Sequence, residues 1–294
     1  MCLFGLKKQK LNANKNIIDA ILNIVRDNMR SVGVSNNSHN RLHAIGEPLE
    51  EYIKDAFAGT IDSDTSTKLK THDIVFSYGG GSNNPPDAML DHGDAIEVKK
   101  VEKIASIPLN SSFPKAKLYS DDPKIASECR NAEGGLWKEK DIIYAIGCVK
   151  SENQLSSLAL VYGDVYCANK ECYERIFNAI KDGISRTGIT MSETNELAHI
   201  NAVDPLRITY FRARGMWGIT HPFKVFDYIY KSDTQANFEM IAIIPKNKFD
   251  GFSNKEDLIN EASKNNNLII KDCQVKNPNN IVKLIDVKLI TYKI

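Results

Sequence analysis

Apolar residues recur at helical spacing between Asn16 and Arg30, where Ile17, Ile21, Ile24, Val25 and Met29 fall near one stripe. The stretch from Ser31 to Asn40 is polar, rich in Ser and Asn, and reads as a loop. A second helix is expected from about Glu47 to Ala58. Pro48 suits its first turn, Leu49, Ile53 and Phe57 form its stripe, and Gly59 supplies the stop. Asp62 to Thr71 is polar without a clear period and reads as loop. From Asp73 to Tyr78 the pattern turns strand-like through Ile74, Val75 and Phe76, then runs into the Gly/Asn/Pro segment Gly79 to Pro86. Asp87 to Leu90 and Ala95 to Val101 flank a turn at Asp91-His92-Gly93-Asp94, the signature of a β-hairpin. Asp141 to Val149 and Leu155 to Tyr162 are nearly continuous apolar runs, as buried strands require. Asn169 to Gly183 places Tyr173, Ile176, Phe177 and Ile180 on one helical face, and Phe238 to Ile244 reads as a further strand. With no internal repeat, this order predicts an α/β fold: a mixed central β-sheet flanked by helices.

At 294 residues, 42% hydrophobic and 26% charged, the chain can build a substantial core. We expect one domain over residues 1–294, with a catalytic core at about 41–165 and a C-terminal part at about 166–294 that adds core and recognition. No stretch nears the roughly 18 apolar residues of a membrane span. The start Met1-Cys2-Leu3-Phe4-Gly5-Leu6-Lys7-Lys8 lacks the apolar run of a secretory signal, so the expected location is the cytoplasm. The six cysteines are scattered, and Cys167 and Cys172 lack the spacing of a zinc knuckle; free thiols are expected. A net charge of +1 argues against a non-specific polyanion binder. It leaves room for a sequence-specific DNA enzyme, whose basic surface and acidic metal site cancel in the total.

The hairpin carries the candidate chemistry. Glu97 and Lys99 lie two apart on its second strand and so leave one face, while Ile96 and Val98 point the other way. Asp87, at the start of the first strand, lies across the turn from that face. Two carboxylates and an ammonium gathered in this way suit phosphodiester hydrolysis. Asp87 and Glu97, with the Val98 carbonyl as a third oxygen, would ligate Mg²⁺, and Lys99 would orient water or stabilise the charged transition state. The glycine run Gly79-Gly80-Gly81 lacks the Gly-Lys-Ser/Thr ending of a P-loop. The bare pattern also fits a solvated strand face. A DNA-binding protein whose acids are only structural therefore stays open, as does a structure-specific repair or recombination nuclease.

Pro86-Asp87 with Glu97-Val98-Lys99 resembles the PD-(D/E)xK nuclease superfamily. The longer run Ser82-Asn83-Asn84-Pro85-Pro86-Asp87-Ala88-Met89-Leu90 with Gly93-Asp94-Ala95-Ile96-Glu97-Val98-Lys99-Lys100 resembles the NgoPII family of type II restriction endonucleases. The likeness continues through Gly46 to Tyr52, Leu109 to Lys115, Val203 to Leu206 and Arg214 to Trp217. It implies a restriction-endonuclease-like core and a homodimer that cuts both strands of a short palindrome with Mg²⁺. It also implies GGCC as the target, and a methyltransferase acting on the same site without needing to bind this chain. Glu50, on the helix before the sheet, is the residue that the resemblance adds to the metal site; a solvated helix face beside Glu47 and Glu51 is the other reading.

Between Arg207 and Lys231 lie Arg207, Arg212, Arg214, Lys224 and Lys231 against Asp227 alone, interleaved with Tyr210, Phe211, Trp217 and Phe223. Arginine forks pair with guanine O6 and N7 in the major groove, so Arg212 and Arg214, with Arg207, are candidate DNA contacts to bases or phosphates. Asn110, Ser111, Ser112, Lys115 and Lys117 follow the catalytic strand and could reach backbone or base edges. In each case the plain alternative is an exposed strand or loop with solvated charges. His92 is expected to be a turn residue, and Trp217 a core residue.

Overall fold

The computed structural model describes residues 14–27, 48–81, 84–150, 154–192, 194, 196–233 and 235–294. Helix α1 (Ile17–Arg26) begins where the Asn16 side chain accepts from Ile18 N (2.8 Å) and Asp19 accepts from Asn16 N (3.2 Å), closing a capping box. The helix ends at Arg26, short of the expected Arg30, because Asp27 turns to extended backbone (φ −70°, ψ 120°); residues 28–30 and the expected loop to Asn40 lie outside the described residues. Helix α2 (Pro48–Ala58) buries Leu49, Ile53 and Phe57 completely, as its stripe requires. It stops at Gly59, whose φ of 76° is open to glycine at no steric cost.

The next element corrects the sequence reading. Helix α3 (Thr65–Val75) occupies the segment expected to be loop and the start of a strand. Asp64 caps it, accepting from Ser66 N (2.9 Å), Thr67 N (3.1 Å) and Thr67 Oγ1 (2.6 Å). Only Thr71 and Val75 are buried, so the helix has almost no apolar stripe to announce it. Contacts to α2 tie it down: Lys68 and His72 both pair with the buried Asp55 carboxylate. Asp64→Ala, which removes the cap, is therefore expected to lower the urea midpoint with cleavage activity unchanged.

The chain continues through β1 (Phe76–Tyr78), β2 (Ala88–Leu90), β3 (Ala95–Val101), β4 (Ser106–Asn110), β5 (Lys117–Tyr119), α4 (Ser127–Asn131), β6 (Glu139–Val149), β7 (Leu155–Tyr162), α5 (Gly163–Tyr166) and α6 (Lys170–Ser185). It ends with β8 (Ala198–Asn201), β9 (Tyr210–Ala213), β10 (Trp217–Thr220), α7 (Pro222–Val225), β11 (Glu239–Pro245), α8 (Lys246–Gly251), α9 (Lys255–Lys264), β12 (Leu268–Asn277) and β13 (Asn280–Lys293). One nine-stranded sheet runs β1-β2-β3-β6-β7-β11-β13-β12, with β5 paired to the opening residues of β6. The β3–β6 and β7–β11 pairs are parallel and the others antiparallel, the mixed sheet that the sequence predicts. The middle strands β6, β7 and β11 are buried along nearly their whole length. Strands covered on both faces lose the polar alternation, which explains their continuous apolar runs. Strands β11, β12 and β13 put the C-terminal third into the same sheet as the hairpin, and α2 lies against β3.

Helix α6 forms where expected, but its apolar face is not taken into the core. None of its residues is buried, and Ile176 and Ile180 are exposed. Of that face, Tyr173 is stacked on Phe113 (5.4 Å between centroids) and edge-on to Trp217 (5.6 Å), and Phe177 is half-buried beside Gly215. Periodicity reports that a face is apolar, not that something covers it. Among the described residues no helix is long and apolar enough to cross a membrane. The described cysteines, Cys129, Cys148, Cys167, Cys172 and Cys273, are free thiols, as their scatter predicts.

Candidate active site

The hairpin places its chemistry by register. Ala88 pairs with Ile96, and Asp87 N donates to Ile96 O (3.0 Å), so Asp87 sits at the mouth of β2 against the middle of β3. Asp87 Oδ2 then accepts from Val98 N (2.6 Å), which fixes the carboxylate beside Glu97 and Lys99. Lys99 Nζ lies 2.6 Å from Glu97 Oε1, 3.1 Å from Val98 O and 3.9 Å from Asp87 Oδ2. All three expected oxygen ligands thus converge on one cationic group.

Burial, followed by the neighbouring charge of Asp87, pushes the Glu97 carboxyl up to about 7, against the opposing pull of Lys99 and Lys115. Burial alone would lower the Lys99 ammonium, but Glu97 and Asp87 outweigh it and hold Lys99 above the ordinary lysine value. The second Glu97 oxygen, Oε2, is buried and has no hydrogen-bond partner among the described residues. A buried carboxylate oxygen without a donor is costly. Together with Asp87 and the Val98 carbonyl it makes a hard-oxygen set that fits a divalent cation such as Mg²⁺. The Lys99 ammonium already shows that positive charge is favoured there.

These residues line a cleft of about 280 Å³ with Asn110, Ser111, Ser112, Lys115, Phe113 and Tyr144. Four of the expected DNA-contacting residues therefore share the cleft of Asp87, Glu97 and Lys99. Lys115 is the qualified case: its ammonium is 5% exposed and ion-paired to Asp122, so its charge is already answered. Lys117 does not reach this cleft and pairs with Glu139 (2.7 Å) and Asp141 (3.7 Å). Arg207 lies in the exposed β8–β9 loop at φ 60°. Arg212 and Arg214 both bind Glu196 and line an adjoining cleft that shares Ser111 with the first.

Glu50 is an electrostatic neighbour of Asp87 and Lys99, and burial raises its carboxyl above the ordinary value. Lys54, which the sequence reading passed over, holds it. The 8%-exposed Lys54 ammonium donates to Glu50 Oε1 (2.6 Å) and to Gly79 O (2.8 Å), tying α2 to the loop before Asp87. The only signal in the sequence is the four-residue spacing from Glu50 to Lys54. Tyr144 was missed too, because its strand reads simply as core. His92 is an exposed turn residue at φ 51°, as expected. It lies with Asp91 and Glu133 so that ligand-type atoms fall within 4.8 Å, but Glu133 Oε1 already accepts from Ser77, His92 N and Lys140. Trp217 is half-buried against Phe113 and Tyr173, in keeping with a packing role, while Tyr210 and Phe211 are exposed.

Gly80 guards the position of Asp87. Its φ is +94°, and a Cβ there would fall inside the contact radius of the Asp87 carbonyl oxygen. Gly80→Ala must therefore shift the Asp87 backbone. We expect cleavage to drop about a hundredfold or more with little change in melting temperature; an unchanged rate would show that this loop does not set the carboxylate.

A mixed sheet flanked by helices, carrying two carboxylates and a lysine on a hairpin beside a polar cleft, defines a protein of the restriction-endonuclease-like class. The chain belongs to the NgoPII restriction endonuclease family, whose model matches residues 15–276. It is 47% identical over 279 residues to the type II restriction enzyme NgoPII of Neisseria gonorrhoeae, spanning 94% of this chain and 99% of that protein. No solved structure matches it.

Proposed function

We propose that this protein is a type II restriction endonuclease that hydrolyses both strands of double-stranded DNA at a short palindrome, GGCC, as an Mg²⁺-dependent homodimer. The observation that carries the reading is the convergence of Asp87, Glu97 and Lys99, with Glu97 Oε2 buried and undonated at the same point. Asp87, Glu97 and the Val98 carbonyl would hold the ion, with Glu50 assisting from α2. When bound, Mg²⁺ supplies positive charge opposite the scissile phosphate and makes water in the cleft more acidic. Lys99 stays charged beside the carboxylates, where it orients the attacking water and offsets charge building on the phosphate. Asn110, Ser111 and Ser112 line the same cleft and are suited to backbone contacts, with Arg212 and Arg214 beyond them. A palindrome is read most simply by a two-fold dimer, which puts one such site on each strand. A methyltransferase of the same specificity would protect host DNA and need not bind this chain. The whole chain would act as one domain, since its C-terminal strands complete the catalytic sheet.

The test is digestion of a plasmid of known sequence with Mg²⁺ or EDTA, beside Asp87→Ala, with fragment ends sequenced. Discrete Mg²⁺-dependent fragments ending in one shared sequence, absent with the variant, are expected. A plasmid left intact across several DNAs would sink the endonuclease reading, and nicking without a common sequence would favour a structure-specific nuclease.

A further inference from the structure

Strands β8 and β9 form a two-stranded ribbon of their own, outside the main sheet. Its register sets His199 opposite Arg212 and Asn201 opposite Tyr210, with Ala198 opposite Ala213 and Ile200 opposite Phe211 in between. Strand alternation therefore puts His199, Asn201, Tyr210 and Arg212 on one face and the apolar pairs on the other. The 5.8 Å contact between the His199 and Tyr210 rings agrees with that division. On the apolar face Ala198 is buried, Ile200 and Ala213 are half-buried and Phe211 is exposed; on the polar face His199 is half-buried and Asn201, Tyr210 and Arg212 are exposed.

Glu196 lies beside this face. It accepts from Arg212 Nε (2.8 Å) and Arg214 Nε (2.8 Å), and from Arg212 Nη2 as well. The two arginines hold its carboxyl down at about 2, so it stays charged at any working pH. The cleft of about 440 Å³ that they line shares Ser111 with the catalytic cleft. Three residues after Arg214, Trp217 pairs with Asn110 at the end of β4, so the ribbon is tethered directly to the catalytic wall.

We propose that the β8–β9 ribbon enters the major groove and that Arg212, Arg214 and Glu196 together read G·C pairs; the proposal deepens the restriction-enzyme reading and rests on it. A two-stranded ribbon fits that groove. Guanine presents the acceptors O6 and N7 there, which suit the arginine forks, and cytosine presents the N4 donor, which suits a carboxylate. A carboxylate at a DNA surface would only repel phosphate, so charge neutralisation alone gives it no place there. Held between two arginines, it offers the acceptor that a G·C pair needs beside its donors. In free protein the same groups satisfy one another.

The test is selection of duplexes from a random pool by the full-length protein, with Ca²⁺ in place of Mg²⁺ to prevent cutting. The wild type should enrich a G·C-containing motif, and methylating guanine N7 in that motif should abolish selective binding. Glu196→Gln and Arg212→Ala should each lose about ten- to a hundredfold discrimination at a defined G·C pair. Glu196→Gln, which removes a negative charge, should at the same time bind unselected DNA no more weakly than the wild type. The proposal is overturned if both variants select the wild-type motif unchanged, if N7 methylation has no effect, or if the wild type selects no motif. The methylation arm uses unaltered protein and so decides even where a variant misfolds. A selected motif without any cutting in Mg²⁺ would overturn the nuclease reading and leave the ribbon standing. Cutting at fixed sites that is indifferent to N7 methylation would do the reverse.

Discussion

Glu97→Gln is expected to slow DNA cleavage about a thousandfold or more while making the protein more stable in EDTA above pH 7. The loss follows because the proposed metal site would lose one carboxylate, and with it several kcal/mol of charge stabilisation. The gain follows from the price of burying that carboxylate. Burial and Asp87 push Glu97 up to about 7 from an ordinary value of 4.5. Between those pH values the folded protein holds a proton that the unfolded chain has released, so stability falls as pH rises through the interval. Above pH 7 the full penalty applies, on the order of 3 kcal/mol; below about pH 4.5 it vanishes. Glutamine keeps an acceptor for Lys99 and removes the charge, so the stability difference between variant and wild type should open as pH rises from 5 to 8. Adding Mg²⁺ should narrow it, since the wild type alone keeps the full ligand set. Urea unfolding at several pH values, with and without Mg²⁺, measures each part. A variant less stable than wild type at pH 8 in EDTA would refute the account of the buried carboxylate, and undiminished cleavage would refute its role in the site.

Glu133→Leu is expected to destabilise the protein by about 3–5 kcal/mol, and to take activity with it. Glu133 and Lys140 form a 2.7 Å ion pair in which each side chain is only 7% exposed. Burial would raise the Glu133 carboxyl, but Lys140, His92 N–H and Ser77 together hold it below the ordinary value. The same oxygen thus fastens β1, the β2–β3 turn and β6, the frame on which Asp87 and Glu97 stand. Lys140 also donates to Gly93 O (2.9 Å), within that turn. Leucine would leave a buried ammonium and a turn N–H without their acceptor. Glu133→Leu combined with Lys140→Met should recover much of the loss, because two apolar groups desolvate no charge. A single variant within about 1 kcal/mol of wild type would mean that the pair is solvated and does not organise the hairpin.

The hairpin that carries Asp87, Glu97 and Lys99 was legible because all its determinants are local. Turn residues separate two short strands, and period-two alternation puts Glu97 and Lys99 on one face. The central strands were legible for a related reason, since double burial leaves unbroken apolar runs in β6 and β7. Helix α3 was not, because a cap at Asp64 and the contacts of Lys68 and His72 to Asp55 define it in place of an apolar stripe. The helical period of α6 was legible, but not the fact that its Ile176 and Ile180 stay exposed.

By itself, then, the sequence determined that Asp87, Glu97 and Lys99 gather on one hairpin, and it determined the restriction-enzyme family, since each rests on residues near one another along the chain. Tertiary structure alone decided which charges remain available. It neutralised Lys115 with Asp122 and Lys117 with Glu139, set Lys54 between Glu50 and Gly79, and closed Arg212 and Arg214 onto Glu196. The physical reason is that the energy of a charge depends on its burial and on its partner in space. Those partners are fixed by how α2, the parallel β3–β6 pair and the β8–β9 ribbon come together, which spacing along the chain does not encode.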